Sequence, residues 1–224
     1  MGRPRTLTDI SRKIPLCKGN LHPIPCRPSH LMATTSARDA KEILIERIRE
    51  LAYLYSEDSF TLASGKQSNH FFDMKPVMMD PECAHLLGVL IHSTIGKLGH
   101  VDAIGGLELG AVPLTGIAIA KAGKGSSLRG FIVRKEPKGR GGRKTGNPPG
   151  IEGASLDEGA RIVLLEDVIT TGGSSLKASK ILDEMGCNVV GCITILDREE
   201  GGQAAFETAK IPLFPLTVKS EIVG

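Results

Sequence analysis

Tryptophan is absent, tyrosine occurs twice, and aromatic residues make up only 4% of the chain. A core built on stacked rings is therefore excluded, and packing falls to Ile, Leu, Val, Ala and Gly, the ordinary composition of an α/β protein. No apolar run is long enough to cross a bilayer, so no membrane partner is expected. Cysteine is scarce and odd in number: Cys17, Cys26, Cys83, Cys187 and Cys192, none spaced as C-x-x-C. The signs of a disulfide framework and of a zinc site are both missing, which predicts reduced thiols and a cytoplasmic protein. His85 and His92 could share one helix face, but neither has an acidic or cysteine partner at ligand spacing. They read as packing or surface residues.

Excess charge is missing from most of the chain. The formal net charge is +3, yet residues 1–31 hold Arg3, Arg5, Arg12, Lys13, Lys18 and Arg27 against Asp9 alone. The remaining residues carry 22 basic and 24 acidic groups, which gives no electrostatic case for a nucleic-acid partner. Residues 1–31 are rich in Arg and Pro and lack a sustained apolar period, so they are expected to be a disordered basic extension. A targeting segment would share the basic, acid-poor character, but many prolines and few serines argue against it. Met32 opens a stretch that reads like a natural start, leaving 32–224 as one domain of a size that a single core supports.

The common nucleotide and hydrolase motifs are absent too. There is no G-x-x-x-x-G-K-S/T loop, no G-x-G-x-x-G after a strand, and no G-x-S-x-G elbow. What is present is a rhythm. Ser36 and Asp39 have capping-box spacing, and Leu44, Ile48, Leu51 and Tyr55 recur with a helical period, predicting a first helix. A short aromatic strand follows at 70–73, and Asp80-Pro81 starts a second helix that runs to about Leu98 and closes at Gly99. Apolar runs at 101–104, 131–133, 162–165 and 189–196 then alternate with helical stretches at 113–121 and 174–185. That alternation predicts a parallel sheet flanked by helices. Residues 136–155 are too rich in Gly, Pro and Lys/Arg for a core element and are expected to form one long mobile loop.

The segment RIVLLEDVITTGGSS, residues 161–175, carries most chemical information. A buried strand ends in Glu166 and Asp167, and ligands of parallel sheets bind beyond the carboxyl ends of strands. Carboxylate oxygens there can accept bonds from sugar hydroxyls. The following Thr/Gly/Ser turn offers hydroxyls and unpaired amides at a helix N-terminus, which suit a phosphate dianion. Acidic residues often end strands and Gly-Gly often makes turns, so the pair alone would not decide the matter; the whole string is far rarer.

EDVITTGGS resembles the signature by which type I phosphoribosyltransferases hold phosphoribosyl diphosphate (PRPP). The resemblance implies an α/β fold with a central parallel sheet, helices on its flanks and a small hood from the N-terminal part. It also implies that Glu166, Asp167, Val168, Ile169, Thr170, Thr171, Gly172, Gly173 and Ser174 bind PRPP. Three further segments are similar to orotate phosphoribosyltransferases in particular, over residues 33–224. In FTLASGKQSNHFFDMK, Phe71 and Phe72 take the places of the family's orotate-facing aromatics, although aromatics in strands mostly serve packing. GGLELGAVP resembles the loop whose amides contact diphosphate, with Leu109 and Gly110 where many relatives have a Tyr-Lys pair. FIVRKEPK puts Arg134, Lys135 and Lys138 on the family's diphosphate-binding and lid positions. Arg198, in DREEG, matches a position that contacts orotate, as Thr170 does.

The chain also departs from the family: Arg140 stands where many relatives have a lid His, and Ala63 where they have Lys. The resemblance implies transfer of the phosphoribosyl group to orotate, with Lys138, Glu166 and Asp167 as the catalytic set. It implies Mg²⁺ held mainly by PRPP oxygens and water rather than by direct protein ligands, and a homodimer that shares lid residues. Two alternatives are a relative acting on a purine or uracil, which the FFDMK and DREEG segments oppose, and a PRPP-sensing regulator that binds nucleic acid, which the near-neutral body opposes.

Overall fold

The computed structural model describes residues 36–61, 67–136 and 146–224. The expected extension at 1–31, the lid positions Lys138 and Arg140, and Ala63 lie outside the described residues.

Helix α1 (Ala37–Leu51) begins where the capping pattern places it, with the Asp39 N–H donating to Ser36 Oγ at 3.2 Å. Ala40, Leu44 and Ile48, four residues apart, are fully buried and face the core. The helix stops at Leu51, so Tyr55 does not extend it. Tyr53, Leu54 and Tyr55 instead enter β1 (Tyr53–Thr61), which pairs antiparallel with β2 (Gln67–Phe72) in a separate two-stranded ribbon. Strand pairing wins because the Tyr53 ring stacks on Phe72 at 5.2 Å and its hydroxyl meets His70 Nδ1 at 2.8 Å. Burial, with Lys219 and Arg198 nearby, lowers the His70 pKa and disfavours the protonated ring.

A short α2 (Lys75–Met79) leads into α3 (Pro81–Ile95). Asp80 caps α3 by accepting from the Cys83 N–H at 3.0 Å, with Pro81 in its first turn. The helix ends at Ile95 rather than near Leu98, because Lys97 and Leu98 donate to carbonyls three residues back and tighten the chain into turns before Gly99.

A six-stranded sheet in the order β5-β4-β3-β6-β7-β8 forms the centre. Its strands are β3 (Ala103–Leu107), β4 (Arg129–Val133), β5 (Ile151–Gly153), β6 (Arg161–Ile169), β7 (Asn188–Asp197) and β8 (Leu213–Val218). All pairs are parallel except β4 with β5. Helices α4 (Ala111–Ala122), α5 (Gly173–Glu184) and α6 (Gly202–Thr208) make the crossovers, and α7 (Lys219–Val223) closes the described chain. The order turns back between β3 and β6, the switch point where such sheets bind ligands.

Strand β5 revises the expectation of one uninterrupted loop over 136–155. Ile151 is buried against the sheet, and the Asn147 side chain bridges the Ala154 carbonyl (2.7 Å) and the Leu156 N–H (3.1 Å). One apolar residue and one amide suffice to tie this Gly/Pro-rich stretch to an open strand edge.

Two cores lie on the two faces of the sheet, and β6 feeds both with the two-residue period of a strand. Val163 and Leu165 pack with α1, α3 and α4, whereas Ile162 and Leu164 pack with Ala178 and Leu182 of α5 and Phe206 of α6.

Candidate active site

The alternation along β6 continues past its apolar residues. The strand does not end at the two acids but runs on to Ile169, with Val168 registered against Leu196. Glu166 therefore takes the α5 face and Asp167 the α4 face. The Ser175 hydroxyl, on α5, donates to Glu166 Oε2 at 2.7 Å. On the other side, the Cα of Gly110, just before α4, abuts the Asp167 carboxylate: a Cβ there would stand 2.4 Å from Oδ1. The acid pair straddles the switch point.

The two carboxylates are electrostatically different. Glu166 is only 7% exposed. Burial, reinforced by the neighbouring Asp167 charge and opposed by the Ser175 hydrogen bond, pushes its carboxyl up to about 7. Asp167 is half-buried, accepts the Val168 N–H at 2.9 Å through Oδ1, and forms no ion pair among the described residues.

Beyond the strand, residues 170–172 turn into α5. Gly172 is left-handed (φ 81°), and a Cβ there would meet the Phe206 ring at 3.0 Å, so both backbone angle and packing demand glycine. The turn and the start of α5 enclose a cleft of about 330 Å³, lined by Glu166, Val168, Ile169, Thr170, Thr171, Gly172, Gly173 and Ser174. First-turn amides of a helix have no intrahelical acceptor. The cleft thus joins a carboxylate at one end to free donors at the other.

The β3–α4 loop holds Glu108, Leu109 and Gly110, with a cis peptide between Glu108 and Leu109. Leu109 is 63% exposed. Glu108 draws the end of β4 to this loop: Oε1 accepts the Lys135 N–H at 2.9 Å, and Oε2 lies 3.8 Å from the Arg134 guanidinium. Arg134 also faces Glu152 at 3.5 Å and donates to the Glu136 carbonyl at 3.1 Å, while the Lys135 side chain is exposed.

Arg198 is almost wholly buried and clamps the β1–β2 ribbon. Its Nη2 donates to Ser68 Oγ and to the His70 carbonyl, both at 3.2 Å, and its Nε to Glu200 at 3.0 Å. The guanidinium carbon lies 5.6 Å from the centre of the Phe72 ring. Phe71, on the alternate side of β2, packs at 5.5 Å on Phe60. The structure thus gathers residues 166 and 168–174 into one cleft, Gly110 with Asp167, Arg134 and Lys135 with Glu108, and Phe72 with Arg198. Phe71 and Phe72 are not brought together on one face.

Sequence reasoning missed Ser175, Glu108 and Lys75. Lys75 Nζ bonds Asp73 at 2.9 Å, and its pKa is raised first by that bond, with a smaller contribution from the charge of Asp167.

The description "phosphoribosyl transferase domain" belongs to a family model that matches residues 80–211. An orotate phosphoribosyltransferase of a Bradyrhizobium species is 47% identical over 174 residues, covering 75% of this chain and 89% of the relative. The crystal structure of Mycobacterium tuberculosis orotate phosphoribosyltransferase in complex with Fe(III) dicitrate superposes with a TM-score of 0.69 at 27% identity, covering 83% of this chain and 99% of that one. The same enzyme in complex with PRPP gives 0.65 at 26%, covering 82% and 98%. With both the whole-domain identity and the straddled switch point in agreement, the chain belongs to the orotate phosphoribosyltransferase family.

Proposed function

We propose that this protein transfers the 5-phosphoribosyl group of PRPP to orotate, giving orotidine 5′-monophosphate and diphosphate, a step of pyrimidine nucleotide formation. The observation that carries the reading is the cleft in which Glu166 faces the amide-rich turn of residues 170–174. A ribose 5-phosphate has hydroxyls at one end and a dianion at the other, the complement of that lining.

In the transfer, a ring nitrogen of orotate forms a bond to the anomeric carbon as the bond to diphosphate breaks, through a centre with developing positive charge. The amides and hydroxyls of the turn hold the 5′-phosphate, and Glu166 and Asp167 accept the ribose hydroxyls from either side of the strand. In their charged form these carboxylates also favour its cationic character. Orotate is already anionic at neutral pH, so a strong base is not required. Lys135, Arg134 and Lys138 neutralise the departing diphosphate, and the Leu109–Gly110 amides approach it where no side chain stands at 110. Phe71, Thr170 and Arg198 bound the orotate side, with Phe72 packed against Arg198 behind them.

Mg²⁺ fits this site: the half-exposed Asp167 carboxylate has no ion-pair partner among the described residues, and an outer-sphere role needs no more. Bound through PRPP oxygens and water, Mg²⁺ would supply charge neutralisation of the diphosphate. The exposed Met79, Leu109 and Val112, on and beside the packed pair α2 and α4, support a homodimer, and no described helix is long and apolar enough to cross a membrane. A cytoplasmic homodimer completes the reading.

The test is incubation of the purified protein with PRPP, Mg²⁺ and each base in turn. Orotidine 5′-monophosphate is the expected product. Consumption of hypoxanthine, adenine or uracil with orotate untouched would end the assignment.

A further inference from the structure

Ser175 does not behave like an ordinary helical hydroxyl. Serine and threonine inside helices commonly bond the carbonyl four residues back, as Thr115 does to Ala111 at 2.7 Å and Thr208 to Ala204 at 2.8 Å. Ser175 instead turns its hydroxyl across to β6 and donates to Glu166 Oε2 at 2.7 Å. Both side chains are buried, Ser175 at 2% exposure and Glu166 at 7%. A hydroxyl has one proton to give, and here it is committed to the carboxylate. With Oε2 held by the Ser175 hydroxyl and the Asp167 backbone also reaching the carboxylate, Glu166 is fixed within the cleft that it lines.

We infer that Ser175 is a positioning residue for the proposed transfer, fixing the orientation in which the Glu166 carboxylate faces the ribose. The inference rests on the reading of Glu166 as a ribose ligand. Besides Ser175, the Asp167 backbone supports the charged form of Glu166. Asp167, next on the same strand, is a like charge that disfavours a second carboxylate. From β7 comes the Cys192 thiol, fully buried, pushed far up by desolvation and hence neutral, which also neighbours the Ser175 hydroxyl. From α5 comes Ser175 itself. No cation pairs with Glu166 among the described residues. The hydroxyl is thus the one side-chain group found there that favours the charged form, and the role is invisible to a motif that ends at Ser174.

The experiment compares Ser175→Ala and Ser175→Thr with the parent. Alanine is the best helix former, so α5 is retained. Losing a hydrogen bond to a buried charge disfavours the ionised form about tenfold, which is about one pH unit. The Glu166 carboxyl, followed by ¹³C NMR in the free protein, is therefore expected to titrate about one unit higher in Ser175→Ala. The acid limb of kcat/KM for PRPP should move with it, with KM for orotate unchanged. Ser175→Thr keeps the hydroxyl and is expected to titrate like the parent. A Glu166 titration that stays put in the alanine variant, or a threonine variant that titrates like alanine, overturns the inference. An active parent with an unmoved titration removes the positioning role and leaves the transfer standing. A parent that makes no orotidine 5′-monophosphate removes the transfer, while the NMR titration still reads the hold of Ser175 on Glu166.

Discussion

Gly110 and Asp167 share one space: a Cβ at position 110 would stand 2.4 Å from Oδ1 and 2.5 Å from the carboxyl carbon of Asp167. Glycine here is a condition for the carboxylate's position and not a loose turn residue. A lysine, which the resemblance leads one to expect at 110 in many relatives, could not enter without moving Asp167. Gly110→Ala is therefore expected to displace the carboxylate by about the overlap, and misplacements near 1 Å can cost about a hundredfold in rate. Steady-state kinetics should show kcat/KM for PRPP at least about tenfold down with the unfolding midpoint little changed. Parental kinetics would mean that the position of Asp167 is not used.

Glu166 makes a prediction with a definite sign. Its carboxyl sits near 4.5 when solvated and is pushed to about 7 in the fold, chiefly by burial. Between these values the unfolded chain has released a proton that the folded chain keeps, so stability falls as pH rises through this window and stays lower above it. Glu166→Gln removes the penalty. At pH 8 the variant is expected to be more stable than the parent by roughly 3 kcal/mol, and at pH 4 the two should melt together. Denaturant titrations at the two pH values check this, and a variant less stable than the parent at pH 8 would contradict it. Activity should fall in the same variant, because the ribose contact proposed for Glu166 needs a carboxylate.

The fold was legible wherever one residue type dominated a period. Ser36, Asp80 and the four apolar runs gave α1, α3, β3, β4, β6 and β7 because caps and buried parallel strands leave local signals. Strand β1 was hidden because its identity depends on a partner: Tyr53 is held by Phe72 and His70, which a helical count ending in Tyr55 cannot register. Strand β5 was hidden for the same reason, as Ile151 gains its burial only from β4. At the site, the motif located the acids and the turn. It could not separate Glu166 from Asp167, since only the pleat sends one toward Ser175 and the other toward Gly110.

Arg198 is expected to act through the ribbon it clamps as much as through any ligand. Its guanidinium donates to Ser68, His70 and Glu200 and lies over Phe72. Arg198→Met keeps the bulk and deletes those bonds, at a cost of about 2 kcal/mol in stability. Arg198→Lys should not recover it, because an ammonium cannot reproduce the planar fork. Hydrogen exchange should report faster opening of residues 67–72 in both variants. Unchanged protection there would show that the ribbon holds without the clamp.

Phe71 and Phe72 should separate by role, because neighbours in a strand face opposite sides. Phe72 is 7% exposed, stacked on Tyr53 and beneath Arg198, so its ring is part of the packing that anchors the ribbon. Truncating such a ring costs about 3 kcal/mol. Phe71 is half-exposed and meets Phe60, so its truncation removes far less buried surface. The expected outcome is that Phe72→Ala lowers the unfolding midpoint strongly, whereas Phe71→Ala leaves it nearly unchanged and raises KM for orotate with KM for PRPP unaltered. Calorimetry and initial-rate kinetics on the two variants check the split. If Phe71→Ala leaves KM for orotate at its parental value, the base does not lie against that side of β2, and Phe72 with Arg198 would have to form its wall.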